Sequence, residues 1–277
     1  MHLTKHHGLG NDFLVLLDLD GTASVAPADA VALCDRHTGV GADGLLVARP
    51  GTHGADVTMV LLNADGSRAE MSGNGIRCLA QAVFQAGVVA PPALRVATDA
   101  GLRTVTVVTD HDPRTQRLSV EMGPADVGAD APGWEGGQVR RAVHVDVGNP
   151  HVVLQWSGDE LPHRDELIAI GRRIDSATPG GANVELVREV ADGALDMVVY
   201  ERGVGPTLAC GTGACASAAA AHAWGLAEHN VTVHMPGGSV EVVLGDPVLL
   251  VGESVSVAAV EVPWPDGPTG GIEEVAR

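Results

Sequence analysis

The strongest constraint on the fold of this chain is a repeat at half its length. Ser72-Gly73-Asn74-Gly75-Ile76-Arg77-Cys78 and Cys210-Gly211-Thr212-Gly213-Ala214-Cys215 share one design and begin 138 residues apart in a chain of 277. Gly10-Asn11-Asp12 and Gly148-Asn149-Pro150 pair at the same offset. The period is too long for a solenoid, and two matches near half the chain length indicate two similar halves. A duplicated domain of this kind places two helix N-termini face to face across a cleft.

The second copy carries a thiol. Cys210 stands before Gly211-Thr212-Gly213, and Ala214–Trp224 reads as a buried, Ala-rich helix. The thiol is therefore expected at a helix N-terminus, where free N–H groups and the helix dipole lower a thiol pKa and bind an anion. A thiolate beside a carboxylate-sized anion site suits proton transfer at the carbon next to that carboxylate. Taken alone, a buried cysteine in a tight turn reads as well; the repeat favours the chemical reading.

Composition narrows the class. Net charge is −18, which argues against nucleic acid or an anionic membrane as partner, although a small local site can still be positive. No run of 18 apolar residues suggests a membrane span. Met1–His7 has neither the apolar run nor the small-residue cleavage site of a signal peptide, so a cytoplasmic protein is expected. Four cysteines in that setting do not imply disulfides. Seven aromatic residues leave a mostly aliphatic core.

Along the chain, the pattern predicts strands over Phe13–Leu17, Leu45–Val47, Val57–Leu62, Leu94–Ala97, Arg103–Thr109 and Leu118–Met122, and helices over Pro27–Arg36 and Gly73–Gly87. Gly39–Gly44 matches G-x-G-x-x-G but follows a helix and precedes a strand. It is a connector and not a dinucleotide site. Asp110–Arg117 reads as a boundary and Pro124–Gln138 as a Gly/Pro-rich connection. The second half reads as strands Ala142–Val147, Val184–Val187, Leu195–Tyr200, Val231–Met235, Val240–Leu244 and Val255–Val262, with a helix over Pro162–Ile174 and a polar tail over Pro263–Arg277. Asn63 lies nine residues before Ser72, and Glu201 nine before Cys210. The repeat thus sets polar groups at matched positions above both helix starts. Asn11 reads most simply as a turn residue and His151 as a structural histidine, but both lie in the repeated turns.

Taken together, His7-Gly8-Leu9-Gly10-Asn11-Asp12-Phe13, Asn63-Ala64-Asp65-Gly66-Ser67, Gly73-Asn74-Gly75-Ile76-Arg77-Cys78, Gly148-Asn149-Pro150-His151, Glu201-Arg202-Gly203 and Ala209-Cys210-Gly211-Thr212-Gly213 resemble the diaminopimelate epimerase family of cofactor-independent, two-base amino-acid epimerases. The resemblance runs from Lys5 to about Val262. It implies an α+β fold of two pseudo-symmetric domains, 1–115 with 255–277 and 116–254, each a curled sheet or barrel around a central helix. It also implies no cofactor and no metal, a cytoplasmic homodimer, and diaminopimelate as the small-molecule substrate in lysine and cell-wall synthesis. Within the cleft the reacting carboxylate would lie on the amides of Gly73, Asn74, Gly211 and Thr212. Asn11, Asn63, Asn149, Asn183, Glu201 and Arg202 would hold the amino groups and the distal carboxylate, with His151 and Glu201 near the reacting amine. Such chemistry needs water excluded, fixed dipoles on the developing negative charge, and a base and an acid on opposite faces.

The chain departs from the family at position 72, where the pattern has the first catalytic cysteine and this chain has Ser72. A hydroxyl can return a proton to a carbanion but is a poor base without an activating neighbour. Three readings follow: an epimerase whose site an introduced Ser72 has quieted; a related isomerase, racemase or dehydratase working with Cys210 alone; or a non-catalytic amino-acid binder. Pro206 is a second departure, in a place where the family more often has Glu. The proline racemase type shares fold and thiols, but Asn63, Asn183 and Arg202 imply a substrate with a second polar end.

Overall fold

In the computed structural model, which describes residues 1–110, 112 and 114–263, the repeat is visible element by element. The first half runs β1 (His2–Gly8), β2 (Asn11–Leu17), α1 (Pro27–Cys34), β3 (Gly44–Pro50), β4 (Val57–Asn63), β5 (Arg68–Ala69), α2 (Gly73–Gln85), β6 (Ala93–Thr98), β7 (Gly101–Asp110), β8 (Thr115–Gly123) and β9 (Asp126–Asp130). The second runs β10 (Val139–Asp146), β11 (Pro150–Trp156), α3 (Arg164–Ala177), β12 (Asn183–Glu189), β13 (Leu195–Glu201), β14 (Gly205–Thr207), α4 (Gly211–Ala223), β15 (Asn230–Met235), β16 (Gly238–Val243) and β17 (Val248–Glu261).

The pairings repeat as well. β2 and β3 are parallel, as are β11 and β12, and each pair is joined through an outer helix. β4 and β6 are parallel, as are β13 and β15, and here the crossover runs through α2 or α4. Parallel neighbours require such a long crossover, so helix placement follows from strand direction. The result is one continuous 17-stranded sheet that curls in two pseudo-symmetric halves, each wrapped around one central helix. Alternate residues of the apolar strands serve two cores. Leu14, Leu16, Leu45 and Val47 pack under α1, while Phe13, Val15, Leu46 and Ala48 face α2. Sheets covered on both faces account for near-continuous apolar runs such as Phe13–Leu17.

The halves are stitched by exchange. β17 pairs first with β16 and then, beyond Val255, with β1. β8 pairs with β7, and β9 goes on to pair with β10. Where they cross, β8 and β17 pair with each other from Val248↔Gly123 to Val255↔Thr115. One apolar core contains residues of both α2 and α4.

Several sequence expectations need correction. β1 is a strand that the polar run of His2–His7 conceals; pairing on both sides, with β2 and β17, overrides its weak apolar pattern. β9 lies inside the stretch read as a connection. It is exposed throughout, so backbone pairing alone defines it. β17 starts at Val248, seven residues earlier than its apolar pattern suggests. The stretch Asp110–Arg117 spans the turn between the paired strands β7 and β8, and residues 111 and 113 lie outside the described part. Of the polar tail, residues 264–277 also lie outside it. Among the described residues no helix is long and apolar enough to cross a membrane.

Candidate functional site

The site begins with two helix starts that touch. α2 and α4 each have 13 residues, and their N-cap positions are Ser72 and Cys210. Ser72 Oγ accepts from Gly75 N at 3.0 Å, and Cys210 Sγ accepts from Gly213 N at 3.4 Å. Both caps thus satisfy an amide at the third helical position, in the manner of serine caps. Between them the backbones nearly meet: a Cβ placed on Gly73 would lie 3.3 Å from Gly211 Cα, and one on Gly211 would lie 3.1 Å from Gly73 Cα. A side chain at either position would force the two helix starts apart by a few tenths of an ångström. The remaining first-turn amides of both helices, among them those of Asn74 and Thr212, have no partner within their own helix, as at other helix N-termini.

The two sides of this junction differ chemically. On the α4 side, His151 Nδ1 is 2.7 Å from Glu185 Oε1 and His151 Nε2 is 3.0 Å from Asn149 Oδ1. His151 and Glu185 are fully buried, and Glu185 Oε2 has no hydrogen-bond partner among the described residues. Glu185 Oε1 comes within 2.7 Å of where a Gly213 Cβ would stand, and Cys210 Sγ within 3.3 Å of the same point. Glu201, at the end of β13, accepts from Thr207 Oγ1 across the β13–β14 hairpin. Strand register explains the asymmetry. His151 stands where Phe13 stands in the first half, and Glu185 where Leu46 stands, each facing its central helix.

These carboxylates overturn one expectation. The helix start should lower the Cys210 pKa. Instead burial, with the charges of Glu201 and Glu185, drives the thiol well above its ordinary value, against the Thr212 hydroxyl at 3.4 Å and the Gly213 amide. Burial also raises Glu201, and the Glu185 charge adds to the effect. Desolvation and like charge outweigh these two hydrogen bonds.

The other expected residues fall into two groups. Asn183 Oδ1 accepts from Arg202 N at 2.9 Å, and the Arg202 guanidinium folds back onto Gly180 O at 3.1 Å. In the first half, Asn74 Nδ2 donates to Asn11 Oδ1 at 3.3 Å, and Asn11 Nδ2 donates to Asp43 Oδ2 at 2.8 Å. Asn63 Nδ2 donates to Ser67 Oγ at 3.0 Å within its own turn. Sequence reasoning missed Glu185 and Arg77. Their signal was a charged residue inside an apolar strand, Val184–Val187, and inside an apolar helix. The four cysteines are buried and free, and burial raises Cys34 and Cys78 to about 11 and Cys215 to about 12.

The sequence profile described as diaminopimelate epimerase matches residues 3–127 and 143–251, which is most of the chain and reaches into both halves. The chain belongs to the diaminopimelate epimerase family. A diaminopimelate epimerase of Heliobacterium modesticaldum is 37% identical over 95% of this chain and 100% of its own length. That of Corynebacterium glutamicum is 39% identical over 93% of this chain and 96% of its own. The fold is shared more widely. A predicted epimerase from Pseudomonas aeruginosa superposes with a TM-score of 0.73 at 14% identity, covering 95% of this chain and 99% of its own. A hydroxyproline epimerase from Agrobacterium vitis gives 0.68 at 18% identity, covering 94% and 91%.

Proposed function

We propose that this member of the family interconverts LL- and meso-diaminopimelate without a cofactor, in lysine and cell-wall precursor synthesis, and that Ser72 slows its turnover. The observation that supports the reading is the close approach of the two helix starts at Gly73 and Gly211, the residues that directly follow the caps Ser72 and Cys210. The substrate carboxylate lies on the first-turn amides of Gly73, Asn74, Gly211 and Thr212, where aligned N–H groups stabilise the charge that grows as the α-proton leaves. Asn11, Asn63, Asn149, Asn183 and Arg202 hold the distal amino and carboxylate groups, and Glu201 and His151 meet the reacting amine. That amine is a cation. Beside Glu201 and Glu185 it cancels the charges that raise the Cys210 thiol, so substrate binding itself eases formation of the thiolate. The Cys210 thiolate then takes the α-proton from one face, and residue 72 gives a proton to the other.

The test is epimerisation of LL-diaminopimelate by the wild type and by Ser72→Cys, with proton exchange at the α-carbon followed in D2O. Ser72→Cys is expected to raise turnover by about a hundredfold or more, in the range that a positioned acid–base group contributes. Cys210→Ala should abolish exchange in either background. Equal turnover of wild type and Ser72→Cys would show that Ser72 does not limit the enzyme, and binding without any exchange in either would leave an amino-acid binder. Sedimentation as a species of twice the chain mass is the expected result for the homodimer, and a single-chain mass would overturn it.

A further inference from the structure

Helix α2 carries a charge for which this scheme has no task. Arg77 is wholly buried, yet among the described residues its guanidinium meets neutral acceptors only: Nη1 donates to Gly73 O at 2.9 Å, Nη2 donates to Asn74 Oδ1 at 2.6 Å, and Nε has no partner there. No carboxylate pairs with it among the described residues, and burial pulls its pKa down to about 10. A buried charge without a counter-charge is costly to keep. The fold nonetheless makes room for it. A Cβ on Gly8 would lie 3.3 Å from Nη2, and one on Gly252 3.2 Å from Cζ. Neither glycine has a positive φ, so close packing and not backbone conformation accounts for both; at Gly252 the guanidinium shares that approach with Val240 Cγ1 at 3.1 Å.

Both acceptors are amides at the helix start. The Gly73 carbonyl and the Asn74 N–H belong to one peptide group, and a cation on its oxygen polarises the N–H at its other end. The Asn74 side-chain amide is treated the same way, and its Nδ2 points to Asn11. We infer that Arg77 is a positioning residue for an anionic substrate group: through these two amides it strengthens the donors that α2 offers a carboxylate, and the carboxylate is the counter-charge the protein lacks when empty. The inference rests on the proposed carboxylate seat at the paired helix starts. Its consequence is unequal grip, because position 215, the matching place in α4, is a cysteine.

Two measurements test it. In ligand-free protein, the Asn74 amide proton of Arg77→Met should move upfield of wild type by NMR, and Arg77→Lys should recover part of the shift. By calorimetry, Arg77→Met should bind LL-diaminopimelate roughly tenfold more weakly or worse, as fits a lost charge-assisted contact, with Arg77→Lys between. Thermal unfolding controls for the fold. If Arg77→Met does not fold, Gly252→Ala combined with Val240→Ala serves, since the new Cβ presses on the guanidinium while the nearer Val240 Cγ1 is gone and the charge is kept, and it should move the same amide and weaken the same binding relative to Val240→Ala alone. Failure of the wild type to bind LL-diaminopimelate would sink the proposed function, and the ligand-free shift would then decide the role of Arg77 by itself. An Asn74 amide indifferent to the substitution, or unchanged binding by a folded variant, overturns the inference.

Discussion

Cys210 shows how a single side chain can be placed by one rule and tuned by another. Its position as N-cap follows from Cys-Gly-Thr-Gly before an Ala-rich helix, a purely local pattern. Its acidity does not follow from that pattern, because burial and two carboxylates from β12 and β13 raise its pKa. The direction of the effect makes a prediction. With the pKa raised, the thiolate is scarce at neutral pH, so iodoacetamide labelling of Cys210, read by peptide mass, should stay slow until well above the ordinary thiol value of about 8.5. Glu201→Gln removes one of the two charges and should shift the labelling midpoint to lower pH. An unmoved midpoint would mean that burial alone sets the thiol. Ser72 illustrates the opposite case: a good cap at 3.0 Å from Gly75 N that offers a hydroxyl where its counterpart offers sulfur.

At the scale of elements, the junction of α2 and α4 depends on two glycines rather than on any attractive contact. A Cβ on Gly73 or Gly211 would lie 2.8 Å from Leu250 Cδ2, and it would also press on the opposing glycine's backbone. The leucine end can swing aside, whereas the facing helix start cannot. Gly73→Ala and Gly211→Ala are therefore each expected to cost about 1–3 kcal/mol in urea unfolding, the range for overpacking. Adding Leu250→Ala should relieve only part of that cost. Full recovery in the double variant would place the whole conflict on Leu250 and none on the helix junction.

For the whole molecule, exchange of strands makes the halves interdependent. β17 serves both halves of the sheet, β8 and β9 do the reverse, and one apolar core reaches from α2 to α4. Neither half keeps its full complement of paired strands without the other. Thermal unfolding should accordingly be a single transition, with calorimetric and van't Hoff enthalpies that agree. Two resolved transitions would mean that the seam between β8 and β17 opens before the cores do.

Local pattern alone settled a good deal. The 138-residue repeat, the strands Phe13–Leu17 and Val57–Leu62, the helix starting at Gly73 and the Ala-rich helix after Cys210 are all legible in the sequence, because periodicity and capping act over a few neighbouring residues, although α4 starts at Gly211, three residues before the expected Ala214. So are the paired turns at Gly10-Asn11 and Gly148-Asn149. Tertiary structure decided the rest. Whether the two caps meet, whether β1 and β9 become strands, and which charges crowd Cys210 are set by residues far apart in the chain. Glu185 and Arg77 show the limit most plainly. Each reads as one charged residue in an apolar run, and its meaning appears only when folding removes water and shows what stands opposite: His151 and a thiol for one, two amides for the other.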